Sequence, residues 1–385
     1  MTTATAALVA RLLREDLRGQ TAYGAPQLDV PVRLNTNENS YAVPVAVIAA
    51  ITEAVADCAR DLNRYPDREF SALRADLASW LTEQTGVPVV AEQMWAGNGS
   101  NEVLHHLVTA FAGPGRAVLG FTPAYSMHPI ISRTAGSTWI DGHRGAPTGV
   151  FDLAAADVVA QVREHRPNLV FLCSPNNPTG TALDLDVVEA VLGAAADTVV
   201  VVDEAYAEFA RPGTPSAISL LAAYPTLVVT RTMSKAFALA GGRLGYLAAA
   251  PEVVDALRLV RMPYHLSTPT QAIARAALAH RASLLAEVEA IKIQRDRMVE
   301  RLGVLGFDPV PSDANFVLFG GLADEAASWQ ALLDQGVLVR DVGIAHHLRV
   351  TAGTPEETTA FLSAVEALPA PHRMHPVPTP QGASA

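Results

Sequence analysis

The sequence predicts an α/β protein: a large domain whose mostly parallel sheet is sandwiched by helices, and a smaller α+β domain built from the N- and C-terminal parts of the chain. Three observations lead there. Short apolar runs alternate with longer helical patterns through the middle of the chain, the order that βαβ units produce. Those runs contain almost no polar position, so both faces of the sheet must be covered. After about residue 270 one long helical pattern gives way to short β-like runs, a change of texture that marks a second unit. A length of 385 residues accommodates one large and one smaller domain. The expected division is an N-terminal segment over 1–42, a large domain over 43–269, a small C-terminal domain over 270–368 and a tail over 369–385.

Taken in chain order, "GNGSNE" (97–102) follows "MWA" and opens the helical pattern "EVLHHLVTAF". That places Gly99, Ser100 and Asn101 at a helix N-terminus, where backbone N–H groups lack intrahelical partners and suit an anion. The expected strands are "AVLGF" (117–121), "NLVFLC" (168–173), "TVVVVD" (198–203), "TLVVT" (226–230) and "LGYLAA" (244–249). One long helical pattern runs from Thr270 to Leu302, followed by the β-like runs "NFVLF" and "VLVR". The closing "LPAPHRMHPVPTPQGASA" is rich in Pro with small and polar residues, which predicts a disordered tail.

Half the residues are apolar, 17% are charged and the net charge is −11. This balance suits a well-buried enzyme and argues against binding to nucleic acid or to an anionic membrane surface. An anionic ligand would need a local cluster of arginines to overcome the global field. The two cysteines, Cys58 and Cys173, imply no disulfide framework and point to a reducing compartment. No 18-residue apolar stretch and no signal-like N-terminus is present, so the expected location is the cytoplasm.

Ligands of open α/β sheets bind beyond the carboxyl ends of the strands. There the chain places "SPNNPTG" (174–180), Asp203 followed by "EAY", and "RTMSK" (231–235). One crevice would collect Asn177, Asp203, Tyr206, Ser234 and Lys235. Each alone has an ordinary explanation: a turn, a helix cap, a buried ring, a solvated lysine. Lys235, however, has no carboxylate within seven residues on either side, in the run "RTMSKAFALAGGRLGY". Together with a carboxylate and neutral hydrogen-bonding groups it describes a site for a cationic heteroaromatic ring carrying an aldehyde, which is pyridoxal phosphate held as a Schiff base. Thr232, Ser234 and Arg243 add hydroxyls and a charge for its phosphate. A dinucleotide fingerprint fails because Glu102 stands where its third Gly belongs, and no phosphate loop ending in Gly-Lys-Ser/Thr occurs.

The set "GNGSNE", "SPNNPTG", "VDEAY", "RTMSKAFALAGGRLGY" and "VLVRDVG…LRVTAG", with "RLNTNENSY" (33–41) and "NRYPDRE" (63–69), resembles the fold-type I pyridoxal-phosphate-dependent aminotransferases over about residues 20–365. The resemblance implies that fold, and an exchange of an amino group between histidinol phosphate and 2-oxoglutarate or glutamate by a ping-pong route. The alternatives within reach of the same motifs are an aromatic amino-acid aminotransferase and a phospho-amino-acid decarboxylase. It assigns Lys235 the covalent link, Asp203 the pairing with the ring nitrogen, Asn177 and Tyr206 the phenolic oxygen, and Tyr125 the stacking. Gly99, Ser100, Asn101, Thr232, Ser234 and Arg243 would surround the phosphate. Tyr65 would reach that phosphate from the neighbouring subunit, which implies a homodimer. Arg349 would clamp a carboxylate, with Arg340 and Tyr23 on the substrate phosphate. Asn37 and Glu38 border the site in relatives and receive no role. Three positions depart from the commoner pattern: Asn101 for Asp, Ser40 for Pro and His128 for Tyr.

Overall fold

The computed structural model describes residues 3–20, 22–145 and 151–368. The tail expected over 369–385 lies outside the described residues. The strands, in chain order, are β1 (Val32–Arg33), β2 (Met94–Gly97), β3 (Ala117–Thr122), β4 (Thr138–His143), β5 (Leu169–Cys173), β6 (Val199–Asp203), β7 (Leu227–Thr232), β8 (Gly245–Ala249), β9 (Asp308–Pro309), β10 (Phe316–Gly320), β11 (Val337–Leu338) and β12 (Leu348–Thr351).

Seven of them form one sheet in the order β2-β8-β7-β6-β5-β3-β4. The pairs from β7 across to β4 are parallel, whereas β8 runs antiparallel to both of its neighbours. Strands β5, β6, β7 and β8 are buried along their whole length, as their unbroken apolar runs require once helices cover both faces. Parallel pairing sends every strand from β3 to β7 toward the same end of the sheet. Register then sets Cys173 beside Asp203 and Asp203 beside Thr230, so three polar side chains meet at that end.

Two smaller sheets complete the molecule. β12, β10 and β9 pair antiparallel, and β1 pairs parallel with β11. Leu34 N–H donates to the Leu338 carbonyl, and the Thr351 N–H to the Leu34 carbonyl, at 2.8 and 2.9 Å. Residues 32–37 are thereby stitched to the C-terminal strands and carried to the rim of the large sheet.

One expectation is corrected. The helical pattern from Thr270 to Leu302 is two helices, Thr268–Ala279 and Arg281–Val304, broken at His280. His280 leaves helical geometry at φ −110°, ψ 22°, and Arg281 turns back to cap the Leu278 carbonyl at 3.0 Å while pairing with Glu83. An ion pair to the helix Ser71–Thr85 accompanies this break, and the apolar periodicity runs through His280 without registering it. Strands β2 and β4 lie outside the expected set: β2 spans four residues, and "TWIDGH" lacks a continuous apolar run.

Candidate active site

The loop after β7 answers why a lysine sits among apolar residues. Met233, Ala236 and Phe237 are fully buried, and Phe237 packs edge-on against Trp80 at 5.5 Å. The Met233 N–H bonds to the Leu244 carbonyl and the Leu239 N–H to the Met233 carbonyl, which ties the loop shut at both ends. The apolar neighbours anchor the loop, and Lys235 is left facing a cavity of about 420 Å³ at the carboxyl end of the sheet. Its Nζ donates to the Thr36 carbonyl at 3.0 Å. Burial, followed by the Arg349 charge, pushes the Lys235 pKa down to about 8, and Glu38 opposes that shift.

Asp203 ends β6 and is buried at 2% exposure. Its Oδ1 accepts from Thr230 Oγ1 at 3.1 Å, a contact that the β6–β7 register dictates, and its Oδ2 lies 3.1 Å from His128 Nε2. The His128 ring stacks flat on Phe171 at 4.3 Å, so the residue that departs from the commoner tyrosine positions the carboxylate here.

Tyr206 OH accepts from Asn37 Nδ2 at 3.0 Å and from Asn177 Nδ2 at 3.4 Å. Burial pushes the phenol up to about 12 despite the nearby Arg349 charge, so it stays protonated. Asn177 Oδ1 in turn accepts from Arg349 Nη1 at 2.5 Å, and Arg349 Nη2 donates to the Asn35 carbonyl at 2.9 Å. Arg349 Nε is buried without a hydrogen-bond partner, and burial lowers the guanidinium pKa to about 10. The desolvated Arg349 guanidinium lines the cavity, where a planar cation suits an oxyanion. Arg340 pairs with Arg349 through two backbone hydrogen bonds of 2.9 Å, which brings both residues to the cavity.

At the opposite wall the helix Ser100–Phe111 begins with Gly99 as its N-cap, at φ 85°. The expectation that Gly99 offers a free N–H is corrected: the Gly97 carbonyl accepts that N–H at 2.8 Å. Gly99 instead provides space, since a Cβ there would lie 2.5 Å from Arg243 Nη2, and a Cβ on Gly245 would strike the Ser100 backbone. The Ser100 and Asn101 N–H groups are the first-turn donors that remain. Glu102, which spoils the dinucleotide reading, accepts from the Asn98 N–H and side chain at 2.6 and 2.8 Å and so holds the turn. Asn101 Oδ1 accepts from Tyr125 OH at 3.1 Å, a role its amide oxygen fills as well as a carboxylate would. Thr232 Oγ1 accepts from the Ser234 N–H at 3.1 Å and donates to the Leu244 carbonyl at 3.4 Å.

Of the residues singled out from sequence, Tyr23, Ser100, Asn101, Tyr125, Asn177, Asp203, Tyr206, Thr232, Ser234, Lys235, Arg243, Arg340 and Arg349 all line this one cavity. Gly99 stands behind it. Tyr65 does not reach it: the ring is 79% exposed and stacks on Tyr264 at 4.4 Å. Asn35, Thr36, Thr230 and Thr351 join the site without having been expected there, and Asn37, expected only to border it, bonds Tyr206. For Thr230 and Thr351 a signal existed, because each lies two residues from an assigned residue on the same strand and so shares its face.

The chain belongs to the class I and II aminotransferases: the model of that family matches residues 30–365. Within the family it is 60% identical over 366 residues to the histidinol-phosphate aminotransferase of Paenarthrobacter aurescens (strain TC1), across 94% of this chain and 96% of that one. It is 59% identical over 356 residues to the histidinol-phosphate aminotransferase of Frankia casuarinae, across 92% and 89% of the two chains. The solved structure of histidinol-phosphate aminotransferase from Sinorhizobium meliloti in complex with pyridoxal-5'-phosphate matches with a TM-score of 0.76 at 25% identity, over 88% of this chain and 90% of that one.

Proposed function

We propose that this chain moves an amino group between L-histidinol phosphate and 2-oxoglutarate or glutamate, in histidine biosynthesis, with pyridoxal 5'-phosphate bound covalently at Lys235. The observation that carries the reading is the convergence on one cavity of a lysine with a lowered pKa, a buried aspartate and a desolvated arginine. The residues fit the cofactor. The missing Cβ atoms of Gly99 and Gly245 let Arg243 and the helix N-terminus close in beside the hydroxyls that line the cavity. The cofactor supplies an aldehyde that condenses with amines and a ring that withdraws electrons from the substrate carbon.

Asp203 would face the ring nitrogen, with Thr230 and His128 holding its two oxygens in place. Asn177 and Tyr206 would bond the phenolic oxygen, and Tyr125 would lie against the ring. Ser100, Asn101, Thr232, Ser234 and Arg243 would hold the phosphate. Lys235 Nζ, neutral above about pH 8, would take the proton from the substrate carbon and deliver it to the cofactor carbon that carried the aldehyde. Arg349 and Arg340 would receive the oxyanions of both substrates, a carboxylate in one half-reaction and a phosphate in the other, with Tyr23 beside them.

We further propose a homodimer in which Tyr65 completes the partner's phosphate site. The exposed side chains Leu62, Tyr65, Leu259, Met262 and Tyr264 support an interface on that face. The stitching of residues 32–37 to the C-terminal strands supports a small domain made of 1–42 and 270–368 beside a cofactor-binding domain over 43–269. The two unpaired cysteines support the cytoplasm as its location. The test compares kcat/KM for histidinol phosphate and for phenylalanine, each with 2-oxoglutarate. A clear preference for histidinol phosphate is expected. A preference for phenylalanine, or release of carbon dioxide without need of the keto acid, overturns the reading.

A further inference from the structure

We propose that Asn37, keyed by Thr351, is a positioning residue that compels the Tyr206 hydroxyl to act as a hydrogen-bond donor into the cavity. The inference rests on the cofactor reading above and adds a residue that the motifs leave without a role. Asn37 is 1% exposed and sits in left-handed backbone geometry at φ 54°, which Asn tolerates better than most residues. Its backbone is held at both ends: its N–H donates to Thr351 Oγ1 at 3.0 Å, and its carbonyl accepts from Asn315 Nδ2 at 3.2 Å.

An amide side chain has a donor end and an acceptor end, and here the hydroxyl of Thr351 decides which points where. Having accepted the Asn37 N–H, Thr351 Oγ1 spends its proton on Asn37 Oδ1 at 3.2 Å. The Nδ2 end must then face Tyr206 OH, 3.0 Å away. Asn177 is oriented in the same manner by Arg349 Nη1 on its Oδ1, which turns its Nδ2 toward the same phenol. Arg349 and Thr351 are alternate residues of β12 and lie on one face. A single strand of the small sheet therefore sets both amides.

The consequence follows by counting protons. The Tyr206 oxygen accepts two N–H bonds, which uses its lone pairs, and both surrounding amides present it with donors only. Its own proton has no acceptor among Asn37 and Asn177 and is directed to whatever oxygen occupies the cavity. Each accepted bond also polarises the O–H and strengthens what it donates. Were either amide turned so that its oxygen faced Tyr206, the phenol could rotate and donate to it.

Holoenzyme titration tests this. A donor to the cofactor's phenolic oxygen stabilises negative charge there and so lowers the pH midpoint of the bound cofactor's visible absorption band. Tyr206→Phe is expected to raise that midpoint. Asn37→Gly, which tolerates the same backbone, should raise it by about half a pH unit, the equivalent of weakening one neutral hydrogen bond. Thr351→Val, which keeps its shape and loses only the hydroxyl, should shift it in the same direction. In a Tyr206→Phe background neither substitution should add anything. A wild-type midpoint in both Asn37→Gly and Thr351→Val, or shifts of equal size without the Tyr206 hydroxyl, would overturn the proposal. Wild-type protein that develops no visible band with pyridoxal phosphate would instead overturn the cofactor reading, and this inference with it.

Discussion

Lys235 shows how a fold changes the chemistry of one side chain. An amine in water holds its proton well above neutral pH, with a pKa of roughly 10.4. Here burial and the charges of Arg349 and Arg243 work in the same direction, Glu38 resists, and the result is a pKa of about 8. The sign matters for function. Below that value Lys235 is mostly an ammonium and cannot attack a carbonyl; above it the free amine predominates. The carbonyl of Thr36 accepts its hydrogen bond without adding a counter-charge, so the amine is held in place without being locked in its charged form. Cys173, beside Asp203 in register, behaves in the opposite way: burial pushes its thiol up to about 12, so it presents no thiolate.

At the scale of elements, alternate residues of neighbouring strands divide the labour. Thr230 and Thr232 face the cavity side, while Arg231 between them points away and is fully buried. Its guanidinium meets Glu204 at 2.7 Å and Glu208 at 3.1 Å, with Gln84 and Ser216 also bonded at 3.1 Å. Burial alone would lower its pKa, but the two carboxylates outweigh that and raise it. Arg231→Leu would strand two buried carboxylates and should cost about 3–5 kcal/mol, read as a lower urea midpoint. Arg231→Lys should not restore it, because one ammonium lacks the planar fork that reaches four partners. An unchanged midpoint in Arg231→Leu would contradict this reading. The central strands were legible because burial on both faces makes them continuously apolar. β4 was not, since it is an edge strand that pairs only with β3 and is exposed or half-buried at five of its six positions, so it carries no continuous apolar run. The break at His280 was invisible because the apolar periodicity continues on both sides of a single non-helical residue. Asn37 was illegible too, because its role depends on Thr351 and Tyr206, which only the assembled sheets bring to it.

For the whole molecule, a net charge of −11 would repel the anionic ligands proposed here. The cavity reverses that field locally, with Lys235, Arg243, Arg340 and Arg349 set against Asp203 and Glu38. The proposed contribution of Tyr65 from a second copy can be tested by complementation. Lys235→Ala and Tyr65→Ala proteins would each be impaired as homodimers. In a mixed dimer one site carries both defects and the other carries neither, so co-refolding equal amounts should restore up to about a quarter of wild-type turnover. Mixtures no more active than their components would place Tyr65 outside the partner's site.

The central claim is the bond at Lys235, and one measurement addresses it directly. Apoprotein is incubated with pyridoxal 5'-phosphate across a pH series, reduced with borohydride, digested and weighed by mass spectrometry. The account predicts one pyridoxyl adduct, on Lys235, forming at an initial rate that climbs as pH approaches about 8 and levels above it. A peptide of unchanged mass, or an adduct carried by Lys292 instead, would contradict it.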